Sequence, residues 1–234
     1  IAWLLALYEN KNIVVPITSV VEKEISERIN EVTVDVVVNL RLNTISKIKQ
    51  NKDRHDIIKK LNSENKSGLI IFSSGSTGKP KAMVHDMDNL VSVYLNKRIR
   101  NISFMVFLMF DHIGGINTLF NCLSTGATVV IPSRRDPEEV ISLIDKYKVQ
   151  ILPTSPTFLN LMLMSGVLNK YDTSSLRMIT YGTEVMPVSL LDRLKKSFNR
   201  VKFLQTFGTS ETGIIKSSSK SSSSTFIKLD DPDQ

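Results

Sequence analysis

Leu69-Ile70-Ile71-Phe72-Ser73-Ser74-Gly75-Ser76-Thr77-Gly78-Lys79-Pro80-Lys81-Ala82 carries the most information in this chain. An apolar run ends abruptly in small residues, which is how a buried strand gives way to a turn. Small residues let successive backbone N–H groups close into one concavity, the geometry with which a loop holds phosphate oxygens. The hydroxyls of Ser73, Ser74, Ser76 and Thr77 add donors, and Lys79 and Lys81 add positive charge. Only two residues separate Gly75 from Gly78 and Pro80 follows Lys79, so this is neither a Walker P-loop nor a Rossmann glycine fingerprint. Leaving an apolar strand, the loop is expected at the carboxyl edge of a sheet, where open α/β sheets bind ligands.

The rhythm of that run repeats downstream. Ser103–Phe110, Ala127–Ile131, Val149–Leu152, Met178–Tyr181 and Val201–Thr206 are further short apolar segments, with helical stretches between them. Asp136-Pro137-Glu138-Glu139 opens one helix with a capping Asp, a Pro at the first turn and two acids at the positive end of the dipole. Ser155-Pro156 opens another, and Pro187–Phe198 forms a third with Leu190, Leu191 and Leu194 on one side. Short buried strands alternating with amphipathic helices predict an α/β fold: a layered, parallel-rich sheet with helices on both faces.

Upstream, residues 1–65 read as a helix-rich and lysine-rich region with one alternating strand, Val32–Leu40, and 66–216 as the α/β core. Seven of the ten residues in Lys216–Thr225 are serine, so 217–225 reads as a flexible surface loop, and 226–234 as the start of a following segment. The chain opens without Met and within an apparent element already under way, which suggests a piece of something longer.

Composition narrows the function. The 234 residues are 41% hydrophobic and 23% charged, ordinary for a globular protein. One cysteine, Cys122, excludes an internal disulfide framework and agrees with a reducing, cytoplasmic setting. The opening apolar run Ile1–Tyr8 falls far short of the ~20 residues that span a bilayer. A net charge of +7 favours anionic ligands. Without a helix-turn-helix, zinc-finger or aromatic ribonucleoprotein pattern, nucleic acid is not expected.

Three more segments follow predicted strands: Phe110-Asp111-His112-Ile113-Gly114-Gly115, Thr180-Tyr181-Gly182-Thr183-Glu184-Val185-Met186-Pro187, and Thr206-Phe207-Gly208-Thr209-Ser210-Glu211. All four segments follow predicted strands, and in a parallel sheet those ends meet along one edge, so one crevice is expected to hold them all. His55 and His85 have no metal-like partners at suitable spacing.

Together these motifs resemble those of the adenylate-forming superfamily, which includes acyl-CoA synthetases, adenylation domains of nonribosomal peptide synthetases and luciferase-like enzymes. SSGSTGKPKA is similar to its phosphate loop, with Ala82 in place of a final Gly. The resemblance implies that Ser73–Lys79 and Lys81 hold the phosphates of ATP, with Lys81 the more important lysine. It further implies that Phe207 packs on adenine and that Glu211, with Gly208, Thr209 and Ser210 beside it, holds Mg²⁺. Gly182, Thr183 and Glu184 would line the adenine pocket, and His112 would gate the acyl pocket. Asp111 lies beside the gate rather than where an amine-holding Asp is expected, which favours a carboxylic acid without a required amine. The implied reaction converts a carboxylic acid and ATP to an acyl-adenylate and pyrophosphate. The acyl group then passes to a thiol, either coenzyme A or the phosphopantetheine of an acyl or peptidyl carrier protein. The alternative is a non-catalytic nucleotide-binding or interaction module.

Overall fold

The computed structural model describes residues 1–49, 53–73, 80–209, 213–215, 217–219 and 227–229. The chain forms two compact units, Ile1–Val93 and Tyr94–Gln234.

In the first unit the order is α1 (Ala2–Glu9), β1 (Ile13–Val14), α2 (Glu22–Glu31), β2 (Val36–Asn39), β3 (Thr44–Lys47), α3 (Asp56–Ser63), β4 (Gly68–Ser73), β5 (Lys81–Asp86) and α4 (Met87–Ser92). The alternating run expected as one strand over Val32–Leu40 is shorter: β2 pairs with β3 as a hairpin, while Val32 is buried against Ile58 and Ile70. The strand expected at Leu69–Phe72 forms as β4, with Leu69, Ile70 and Ile71 fully buried. Its partners differ from the expectation. β4 runs parallel to β1 and antiparallel to β5, with Ser73 opposite Lys81 and Phe72 opposite Ala82. The segment expected to be a phosphate loop therefore lies in sequence between two strands of a three-stranded sheet, β1-β4-β5, and does not follow a strand of the larger parallel sheet. The reason is local: Lys81–Asp86 is itself a strand able to satisfy β4's backbone groups directly, so no crossover helix intervenes. Ala82 lies in extended strand, where a Cβ costs nothing in φ.

The second unit contains β6 (Ser103–Met105), α5 (Ile113–Thr125), β7 (Thr128–Val130), α6 (Pro137–Tyr147), β8 (Ile151–Thr154), α7 (Pro156–Met164), β9 (Met178–Tyr181), α8 (Val188–Ser197) and β10 (Lys202–Gln205). It ends in β11 (Phe207–Thr209), β12 (Gly213–Ile215), β13 (Ser217–Ser219) and β14 (Ile227–Leu229). The caps read from sequence are made: Asp136 Oδ1 accepts from Glu139 N at 2.9 Å and Ser155 Oγ from Phe158 N at 3.2 Å. Five strands pair in the order β10-β9-β8-β6-β7, all parallel. This is the expected α/β fold with a parallel sheet flanked by helices. Met105, Leu152, Ile179, Tyr181 and Phe203 pack with α6, α7 and α8 in one apolar cluster that includes Val140, Ile144, Leu159 and Leu194. The chain turns one way from β6 to β7 and the other way from β8 to β9 and β10. With right-handed crossovers, that reversal puts α5 on the opposite face from α6–α8.

Ser217–Ser219, read from composition as loop, run as β13 antiparallel to β14. Backbone pairing makes no demand on side-chain polarity, which is why composition does not reveal it. Residues 220–226 lie outside the described residues.

Candidate functional site

The strand order places a topological switch between β6 and β8. The connections from these two neighbours leave in opposite directions and open a crevice beyond their carboxyl ends, where ligands of open α/β sheets bind. A cavity of about 50 Å³ lies there, lined by Leu108, His112, Ile113, Gly114, Pro153, Thr154, Thr180, Gly182, Thr183, Thr206, Phe207 and Gly208. Each wall comes from one strand exit: the β6–α5 loop, the end of β8, the β9–α8 turn, and the passage from β10 to β11.

His112 is the N-cap of α5, and its Nδ1 accepts from Gly114 N at 3.0 Å. In the neutral ring the proton is then on Nε2, a donor. Burial pushes its pKa down, and nearby Asp111 offsets only part of that. The imidazole is therefore neutral at pH 7. Gly115 explains how the loop can lie so close to its helix: a Cβ there would be 1.9 Å from Met109 O and 2.9 Å from Leu108 O. On the same loop, Arg135 Nε donates to Phe107 O at 2.8 Å, tying the β7–α6 connection to the β6–α5 one.

Gly182 has a comparable role at the end of β9. A Cβ would approach Thr206 O and Thr206 Oγ1 to 2.8 Å each. Thr206 N in turn donates to Tyr181 O at 2.8 Å. The strand-exit contact requires glycine here whether or not a flat ring also approaches. Thr183 follows with φ of 67°, in the left-handed region that β-branched residues rarely occupy. Tyr181 is buried in the apolar cluster rather than facing the cavity.

Glu184 does not line the cavity. Its Oε2 accepts from Thr157 N at 3.0 Å and from Thr157 Oγ1 at 2.5 Å. The carboxylate thus meets the exposed N–H groups and positive dipole end of α7. Phe207 lines the cavity with 40% of its surface exposed, leaving a ring face open to a ligand.

Of the residues singled out from sequence, the fold brings His112, Gly182, Thr183, Phe207 and Gly208 around one cavity. Ser73 and Lys81 are the facing ends of β4 and β5 in the other unit. Thr209 closes β11, which pairs with β12. Ser74, Gly75, Ser76, Thr77, Gly78, Lys79, Ser210 and Glu211 lie outside the described residues. The sequence reading missed Thr180, Thr206, Leu108 and Pro153 as wall residues. Their position at strand ends was the available signal, but strand ends alone do not say which strands are neighbours. Among the described residues no cluster of His, Cys, Asp and Glu could hold a metal, and no helix is long and apolar enough to cross a membrane.

Comparison with known proteins agrees with this architecture. The chain is 28% identical over 176 residues to 4-coumarate–CoA ligase 4 of Arabidopsis thaliana, covering 71% of this chain and 31% of that protein. It is 30% identical over 150 residues to indoleacetate–CoA ligase of Aromatoleum aromaticum, covering 62% of this chain and 29% of that protein. The chain thus spans about three tenths of the length of the curated relatives it matches. The luciferase-like enzyme of the nonluminescent mealworm Zophobas morio shares the fold. Its TM-score is 0.55 at 24% identity, over 73% of this chain and 38% of that one. The family model described as AMP-binding enzyme matches residues 1–231, and this chain therefore belongs to the AMP-binding enzyme family.

Proposed function

We propose that this chain carries the adenylate-forming site of a carboxylic acid–thiol ligase. In that reaction a carboxylate oxygen attacks the α-phosphorus of ATP and pyrophosphate leaves. The acyl group then passes from AMP to a thiol, either coenzyme A or a carrier-protein phosphopantetheine. The observation that carries the reading is the cavity at the switch point, bounded by His112, Gly182, Thr206 and Phe207. The names of the curated relatives, two of them CoA ligases, point to the same chemistry.

Each wall has a physical task in this reading. Phe207 offers its exposed face for stacking on the adenine, a contact that needs area rather than directed bonds. The extended exits at Gly182 and Gly208 let backbone groups come near the nucleotide. His112, neutral and with no partner for Nε2–H among the described residues, can orient the carboxylate without neutralising it. A cation at that point would bind the substrate anion as strongly as the transition state and so contribute nothing to the chemical step. Lys81 and the serine-rich segment before it would face phosphate oxygens, where charge accumulates during the displacement. Glu211 is the residue proposed to hold Mg²⁺, and an oxygen donor suits that hard cation. When bound, Mg²⁺ would neutralise phosphate charge. Cytoplasmic location belongs to the same reading.

The test is ATP–pyrophosphate exchange by the full-length protein across a panel of aryl, alkyl and amino acids, followed by thioester formation with coenzyme A. Acid-dependent exchange, reduced at least ~10-fold in His112→Ala, is the expected result. A protein that binds ATP yet exchanges no label with any acid would show a nucleotide-binding module instead.

A further inference from the structure

A second cavity lies in the same unit at the opposite ends of the strands. It measures about 340 Å³ and is lined by Lys97, Arg98, Arg100, Ile102, Phe104, Asn121, Thr125 and Ile151, within the size of small-molecule sites. Its composition is divided. Ile102, Phe104 and Ile151 form an apolar wall at the start of β6 and β8. Three cations within four residues form the other side, with Asn121 and Thr125 of α5 between.

Among the described residues no carboxylate pairs with Lys97, Arg98 or Arg100. Lys97 is held in place: its Nζ donates to Asn121 Oδ1 at 2.6 Å and lies 4.5 Å from the centre of the Tyr94 ring. Burial, and after it the charge of Arg100, pushes the Lys97 pKa down. The protein thus keeps a partly desolvated cation beside another cation, an arrangement that an anion would relieve. Cations here also favour the dipole at the carboxyl end of α5, but three of its last carbonyls already have backbone donors, so the side-chain heads are not needed as their hydrogen-bond partners. Arg100 N donates to Thr125 O at 2.9 Å, Ala127 N to Cys122 O at 2.9 Å and Gly126 N to Leu123 O at 3.3 Å. The side chains of Arg98 and Arg100 are left exposed, with planar, five-donor heads suited to carboxylate or phosphate oxygens.

We propose that this cavity is a binding site for a compact amphipathic anion, whose carboxylate or phosphate monoester meets Lys97, Arg98 and Arg100 and whose apolar body lies on Ile102, Phe104 and Ile151. The site is separate from the switch-point cavity and does not depend on the reaction assigned there.

Calorimetric titration of the purified chain tests it, using phenyl phosphate and phenylacetate as the two head-group probes. Saturating adenosine, which carries no anionic group and so does not compete for the cations, is kept present to occupy a nucleotide site. Saturable binding of at least one probe is expected, and the tighter one identifies the head group. Affinity should fall at least ~10-fold in Arg98→Gln/Arg100→Gln, and similarly when salt is raised until the screening length is a few ångström. Inorganic phosphate should bind at least ~10-fold more weakly than phenyl phosphate, because it cannot use the apolar wall. The circular dichroism of the variant should match the parent, since both replaced side chains are exposed. Three results would each overturn the proposal: no saturable binding of either probe, equal affinity in the folded double variant, or phosphate equal to phenyl phosphate. Lys97→Met, which keeps the stem and removes the charge, gives the same reading should the double variant not fold.

Discussion

Gly114 and Gly115 are adjacent in the first turn of α5, and adding one methyl to each should have very unequal consequences. At Gly115 a Cβ would be 1.9 Å from Met109 O, 2.6 Å from Met109 C and 2.9 Å from Leu108 O, all backbone atoms. They cannot yield without moving the loop that presents His112. Overpacking costs roughly 1–3 kcal/mol, and an overlap against backbone belongs at the upper end. The gain from replacing Gly by Ala in a helix, about 1 kcal/mol, offsets part of it. The net expectation for Gly115→Ala is a loss of about 2 kcal/mol. At Gly114 the nearest atoms are side-chain ends, Leu108 Cδ1 at 3.1 Å and His112 Nδ1 at 3.2 Å. These can give way by a few tenths of an ångström, so Gly114→Ala should stay within about 0.5 kcal/mol of the parent. With a urea slope of about 2 kcal/mol/M, the Gly115 variant should unfold at about 1 M less urea. Because the chain has two units, the transition is best read from hydrogen exchange of peptides covering 103–125 rather than from a global signal. If Gly115→Ala matches Gly114→Ala in that assay, the close approach of loop and helix described here is wrong.

Three further outcomes follow from the site. Because the folded state holds the His112 pKa below the usual 6.5, folding disfavours its protonation. The stability this residue contributes is present above pH 6.5 and is lost as pH falls through the lowered value. The urea midpoint of the parent should thus drop between pH 7 and 5 by more than that of His112→Asn, which keeps a capping acceptor; parallel profiles would count against a buried neutral imidazole. Glu184→Ala should destabilise α7 by about 1 kcal/mol through loss of the acceptor on Thr157, while Glu184→Gln, which keeps a carbonyl oxygen, should lose less; equal losses would point to charge rather than hydrogen bonding. For the proposed nucleotide chemistry, Lys81→Ala should weaken ATP binding by the full-length protein, and Glu211→Gln should raise the Mg²⁺ concentration needed for half-maximal exchange. Unchanged affinity or unchanged Mg²⁺ dependence would remove that residue from the proposed site.

Local chemistry made much of this molecule legible before any coordinates. Asp136 and Ser155 announce helix starts because a cap acts over three residues, and the apolar runs at 69–72, 151–152 and 178–181 become strands because burial on both faces leaves an uninterrupted hydrophobic signature. The motifs after β6, β9 and β10 could be recognised for a similar reason: each is a contiguous segment whose residue types carry their chemistry. Partner choice was not legible. That β4 turns straight back onto the next strand, β5, depends on where Lys81–Asp86 finds its partner, and that β6 joins β8 across a switch point depends on pairing between residues far apart in sequence; no single segment encodes its neighbour. The same holds for Glu184, which reads as part of a ligand wall until Thr157 is found 27 positions away at the helix it caps. Gly115 is, in sequence, only the last residue of the Phe110–Gly115 segment, and its packing role emerges when Met109 O is found where its side chain would be. Periodicity and capping act within one element and are written in order along the chain. The crevice, its neutral histidine and the cluster of cations at the far end of the sheet arise only when separate elements pack, so the tertiary structure alone decided them.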